Sequence, residues 1–140
     1  MSDQTLYKFL ANLTAVGTPE AAKYAELLGT TLIPVQENLS WSFFRFDLHD
    51  GLFPGGELRV SKSGGRALLI LTPAEEPGVF EKDLDLSEWG EPIGIDVNPR
   101  IPPEGTDAYI YDVQGVKLSF QWTHNSRRLR NVVLEWGERA

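Results

Sequence analysis

Two histidines, no cysteine and one short acidic knot bound the chemistry open to this 140-residue chain. Asp47-Leu-His49-Asp50 sets an imidazole between carboxylates, a group that could bind a divalent cation or act as a general base. A plain turn at a strand end has the same composition. His49 and His124 both fall in turn-like stretches, and neither has a third ligand at helical or hairpin spacing. The missing cysteine excludes a thiolate metal site, a disulfide scaffold and a cysteine nucleophile together. Lys62-Ser-Gly-Gly-Arg66 has the glycines and bases of a phosphate loop but neither its spacing nor its following helix, and reads as a hairpin tip. No nucleophile elbow, paired-carboxylate signature or zinc-protease helix occurs. The expectation is a protein without catalytic residues, metal or cofactor, and not an enzyme.

The charge distribution points to a binding partner instead. The chain carries 13 basic and 20 acidic side chains, a net −7. Residues 75–107 hold 10 of the acids against Lys82 and Arg100. That segment alone stands at −8, and the remainder of the chain is close to neutral. Nucleic acid is a poor partner, because phosphate repels a net-negative surface, and none is expected. A solvated loop that confers solubility would need the acids alone. Here Val79, Phe80, Trp89 and Ile93 lie among them, and interface centres are enriched in aromatic residues. The docking surface is therefore placed on Glu75, Glu76, Glu81, Asp83, Asp85 and Glu88 for charge, with Phe80 and Trp89 as anchors. The competing reading is that these aromatics pin the segment to the sheet.

The elements that must position these residues follow from periodicity. Length predicts one domain over 1–140. Leu6, Phe9, Leu10 and Leu13 form a helical stripe, which predicts a helix over about 3–16, capped by Ser2 or Asp3 and ended by Gly17. Thr18-Pro19-Glu20 opens a second helix over about 19–28, with Ala21, Tyr24, Ala25 and Leu28 on one side and Gly29 at its end. Strands are expected at Thr31–Gln36, with Pro34 marking an edge, and at Ser40–Leu48. In the latter, a phase slip at Phe43-Phe44 predicts a bulge or a strand covered on both faces. Gly51 to Gly56 is turn-rich. Glu57–Ser61 and Ala67–Thr72 flank the hairpin tip.

Val116, Leu118, Phe120 and Trp122 alternate with polar residues, which marks a half-buried antiparallel strand. Ala108–Asp112 and Leu129–Trp136 complete a three-stranded meander. Pro73 to Asp107 separates the sheet halves and holds a helical turn at Leu86–Trp89 and a short strand at Ile93–Val97. The fold class is α+β, two N-terminal helices packed on a mostly antiparallel sheet. Leu6, Leu10, Leu13, Leu28, Phe46, Leu69, Leu118, Phe120 and Leu134 should be buried. The longest apolar run, Ala67–Leu71, is far short of the ~18–20 residues a membrane helix needs, and no signal peptide is visible, so the expected location is cytoplasmic, with no membrane partner.

Leu68 to Trp136 also carries a layout. An apolar strand ends in Thr-Pro, then come Pro77-Gly78-Val79 and an acidic turn with Trp89-Gly90-Glu91-Pro92. Pro102-Pro103-Glu104-Gly105, a tyrosine strand, Gly115-Val-Lys-Leu-Ser-Phe120 and the closing strand follow. This resembles small cytoplasmic bacterial immunity proteins, the partners of secreted or contact-delivered toxins, over about half of the chain. The resemblance implies a non-enzymatic inhibitor that blocks the active site of a cytoplasm-acting toxin, a nuclease or a nicotinamide-dinucleotide hydrolase. An acidic secretion chaperone binding an effector protein is the alternative, although such chaperones usually carry a late helix. A third reading lines a small-ligand pocket with Trp41, Phe43, Phe46 and Tyr109; a core role for these rings competes with it.

Overall fold

The computed structural model describes residues 3–16, 20–48, 53–74, 78–84, 86–99 and 104–137. Two helices, α1 (Asp3–Thr14) and α2 (Ala21–Leu28), precede eight strands. These are β1 (Ile33–Glu37), β2 (Trp41–Asp47), β3 (Gly55–Ser61), β4 (Ala67–Thr72), β5 (Gly94–Asn98), β6 (Thr106–Val113), β7 (Val116–Thr123) and β8 (Leu129–Trp136). They form one antiparallel sheet in the order β1-β2-β3-β4-β8-β7-β6-β5. The α+β expectation holds. Among the described residues no helix is long and apolar enough to cross a membrane.

α2 begins later than its proline predicts. Glu20 takes the extended backbone of an N-cap, without a side-chain capping bond, and the helix starts at Ala21. Its end is as expected. Gly29 turns left-handed at φ 66°, and the N–H groups of Gly29 and Thr30 donate to Glu26 and Ala25 carbonyls. Glycine suits this conformation because it has no Cβ to clash. The expected caps Ser2, Gly17, Thr18 and Pro19 lie outside the described residues.

Strand register arranges the core in rows. Phe44, Leu58, Leu69, Leu134, Leu118 and Tyr111 stand opposite one another across six strands. A second row runs Phe46, Gly56, Leu71, Val132, Phe120, Tyr109 and Ile95. Leu6, Leu10, Leu13, Tyr24 and Leu28 join the same buried cluster, so the helices cover this face. Tyr24 meets Trp136 edge-on, ring centres 4.9 Å apart. All nine residues expected in the core are buried.

The opposite face is half open and mixed. Phe43, Arg59, Leu68, Glu135, Lys117 and Asp112 stand opposite one another along one of its rows. The slip at Phe43-Phe44 is not a bulge in β2: Phe43 stands opposite Arg59 and Phe44 opposite Leu58, so the two rings lie on opposite faces and each is half-buried. β2 pairs with β3 without interruption, whereas β1 shifts register between Pro34 and Gln36, leaving Val35 as the extra residue. The bulge thus sits on the edge strand, where a missing proline N–H is tolerated.

Both hairpin tips follow their sequences. Lys62–Arg66 is closed by Ser61, whose N–H donates to the Arg66 carbonyl while its Oγ accepts from the Arg66 N–H, each at 2.9 Å. Gln114 and Gly115, both at positive φ, link β6 to β7 in two residues, the geometry that matches strand twist.

Candidate partner-binding surface

The acidic segment is built into the sheet. After β4 ends, Val79–Glu81 runs antiparallel to the start of β8 through a bridge between Phe80 and Arg128. Leu129 N–H donates to the Val79 carbonyl at 2.7 Å, and Glu81 N–H donates to the Arg127 carbonyl at 2.9 Å. Gly78 precedes this pairing in a left-handed conformation that suits glycine. It sits at φ 88°, and a Cβ there would stand 3.1 Å from Arg128 Nε. Two 3-10 turns follow, Glu81–Asp83 and Ser87–Trp89.

A polar knot fixes the segment at its start. Arg127 donates from Nη2 to Glu81 Oε2 at 2.7 Å and to the Tyr109 hydroxyl at 2.6 Å. Its Nη1 donates to Asp107 Oδ2 at 2.7 Å, and its guanidinium lies over the Tyr109 ring. His124 Nδ1 lies 3.0 Å from the same Asp107 oxygen. Desolvation pulls the Asp107 carboxyl upward, but the hydrogen bonds and charges of His124 and Arg127 outweigh it and hold the group below the usual carboxylate range. Beside the knot, Glu104 accepts from the N–H groups of Asn125 and Ser126 and from Ser126 Oγ, which lowers its carboxyl as well.

A histidine paired with an aspartate could orient a base. Here the aspartate is shared with a guanidinium, and the turn's own hydroxyl, Ser126, is bound to Glu104. The arrangement holds a strained turn, in which Arg127 itself sits at φ 56°, and ties it to the acidic segment.

The expected docking residues divide accordingly. Glu81 is bound to Arg127 and acts within the protein. Phe80 is half-buried at its bridge. Trp89 packs on the core and meets Tyr7 of α1, ring centres 4.5 Å apart, so it pins the segment to a helix. Asp83 and Glu88 fall in the 3-10 turns, with side chains outside the described residues. Glu75, Glu76 and Asp85 lie outside them entirely, as do His49 and Asp50 of the acidic knot. Trp89→Ala is accordingly expected to lower stability by about 2 kcal/mol, below the usual range for truncating a buried aromatic because the ring is only partly buried. Urea denaturation of the variant beside its binding kinetics checks this.

Sequence reasoning named Ile93 among these acids but did not single out Ile95 and Val97 beside it. Ile93, Ile95 and Val97 are 69%, 57% and 55% exposed. Ile95 and Val97 stand opposite Tyr109 and Asp107, on the helix-covered face but beyond the reach of the buried cluster. The alternation Ile93-Gly-Ile95-Asp-Val97-Asn is legible as a strand. Only the finished packing leaves its apolar side uncovered.

The four rings proposed to line one pocket do not share one. Phe46 is fully buried and Tyr109 belongs to the polar knot. Trp41 and Phe43 line a shallow cavity of about 300 Å³ on the open face. Arg66 and Arg59 lie over these two rings at 5.6 Å and 5.4 Å, and Glu57 binds Arg59 at 3.0 Å. Such guanidinium stems shield aromatic surface while keeping charge in water. No group of three or more histidine, aspartate or glutamate side chains among the described residues could hold a metal ion. Compared with known proteins, the chain matches no family model, no curated protein and no solved structure.

Proposed function

We propose that this protein is a non-catalytic immunity protein. It binds one copy of a bacterial toxin that acts in the cytoplasm, of nuclease or nicotinamide-dinucleotide-hydrolase type, and blocks its active site. The observation that carries this reading is the −8 segment, anchored through Phe80, Glu81 and Trp89 and flanked by the exposed Ile93, Ile95 and Val97. Anchoring supports a docking role, because a surface held in place loses little freedom on binding. An acidic surface steers a basic cleft toward it. The secretion-chaperone alternative gains nothing from residues 106–136, which are strands at β6, β7 and β8 where a late helix is the usual feature.

Co-expression with the toxin encoded beside its gene is the test. Cells should survive only when this protein is present, and equal killing with and without it overturns the reading. In the purified pair, reversing Asp83 and Asp85 to lysine is expected to slow association and flatten its salt dependence, since electrostatic steering is screened over about 8 Å at physiological salt.

A further inference from the structure

We propose that the outer edge of β5 accepts an extended segment of a partner protein as a ninth strand, and that this segment alternates apolar and basic residues. The inference rests on the binding reading above and specifies where and how contact is made.

The two edges of the sheet are treated differently. Edge strands expose unpaired backbone groups, and proteins blunt them with proline, bulges or charge. β1 carries both Pro34 and the register shift at Val35. β5 carries neither. Its five pairs with β6 run unbroken from Gly94↔Ile110 to Asn98↔Thr106. Pro92 and Pro99 lie just outside it and limit the strand to a length that suits a short segment.

The side chains specify the occupant. A buried row of Phe46, Leu71, Val132 and Phe120 continues through Tyr109 and ends at Ile95, which is exposed. An added strand would extend this row, with apolar residues beside Ile95 and Val97. On the opposite face β5 presents Gly94, Asp96 and Asn98, so its one charge is the central Asp96. A basic residue opposite Asp96 is favoured there, within a segment that carries −8 overall. Two copies of β5 paired about their centres would set Asp96 against Asp96, and like charges directly opposite are destabilising. Charge complementarity therefore selects a basic strand over self-association. In strand addition, main-chain hydrogen bonds supply affinity and alternate side chains supply selectivity.

The test uses the full chain, isotope-labelled, and a capped seven-residue peptide of alternating lysine and valine. Titration should perturb the amides of residues 94–98 and slow hydrogen exchange at Ile95 and Val97, whose N–H groups face away from β6, at least about tenfold, the effect of a ligand present at ten times its dissociation constant. A valine–glutamate peptide should bind at least about tenfold more weakly, as should the lysine peptide to Asp96→Lys, a size expected for reversing a charge pair. Asp96 is exposed, so the variant should keep the wild-type melting temperature; Ile95→Lys gives a second disruption of the same edge. Peptide binding without added protection at Ile95 and Val97 overturns the proposal, as does equal affinity for both peptides or dimerisation of the chain through these residues. Survival in co-expression with an Ile95→Lys/Asp96→Lys double variant as good as wild type overturns the edge site and leaves the immunity reading standing. Failure of wild type to protect, with the peptide still adding to β5, does the reverse.

Discussion

Replacing Gly56 with alanine is expected to lower stability by about 3 kcal/mol, the upper part of the range for overpacking a core. For a domain of this size that corresponds to a melting temperature lower by about 10 °C. Gly56 lies in β3, opposite Phe46 of β2 and Leu71 of β4. A Cβ at this position would collide with the Ile70 carbonyl oxygen and stand 2.8 Å from Phe46 Cζ. The phenyl ring of a fully buried side chain occupies the space above the glycine, and the backbone oxygen cannot move without breaking the ladder. Gly65, in the hairpin tip, is the control. Nothing lies within 4 Å of a Cβ there, and Gly65→Ala should change stability by less than about 0.5 kcal/mol. Thermal melts of the two variants side by side decide the matter; equal destabilisation would mean the packing at Gly56 has no special role.

Arg127→Ala should cost about 2–3 kcal/mol at neutral pH, below the full value for a buried pair because its side chain is 27% exposed. The loss comes from Asp107, whose side chain is only 11% exposed and would keep its charge with His124 alone. Arg127→Gly removes the same contacts but relieves the left-handed backbone, so it should lose about 1 kcal/mol less. The pH dependence carries a definite sign. The Asp107 carboxyl is held below its unfolded value of about 3.9, so ionised Asp107 stabilises the fold above that pH. This contribution disappears as pH falls through the folded value. Wild type and Arg127→Ala should therefore differ most at pH 5–7 and converge in strong acid. Urea titrations at a series of pH values measure both, and a gap independent of pH would contradict this role for Asp107.

Periodicity made the local structure legible, and left the neighbours of each element obscure. The stripe Leu6, Leu10, Leu13 identifies α1 and its buried side because a 3.6-residue repeat has one geometric meaning. The parity of Val116 to Trp122 likewise fixes which residues of β7 face the core. Neither pattern states which strand lies beside which, and the placement of β8 between β4 and β7 has no local signature. The same limit applied to the surface. Among ten clustered acids, composition does not distinguish Glu81, which meets Arg127 46 positions away, from those that meet solvent. Trp89 shows both sides of the problem. Its presence in an acidic stretch marked it as an anchor, and the structure gives that anchor a partner within the chain, Tyr7. The break in β2 phase suggested a bulge, yet β2 is regular and carries aromatic rings on both faces; the bulge lies at Val35 of β1, which the phase of β2 does not report.

The position of β8 also sets a timetable during synthesis. β1 to β4 can pair in sequence as they emerge, each with the strand before it. β4 then waits for a partner made roughly 60 residues later, about 3–12 s at ordinary translation rates of 5–20 residues per second. Throughout that interval Leu68-Leu-Ile-Leu71, the most apolar stretch of the chain, forms the open side of an unfinished sheet. Arrival of β8 sets Leu69 against Leu134 and Leu71 against Val132, joining the halves in a single long loop closure. A ribosome stalled before residue 129 would release a chain that is sticky rather than merely incomplete, and the last eight-residue strand is the step that makes the newborn protein safe in a crowded cell.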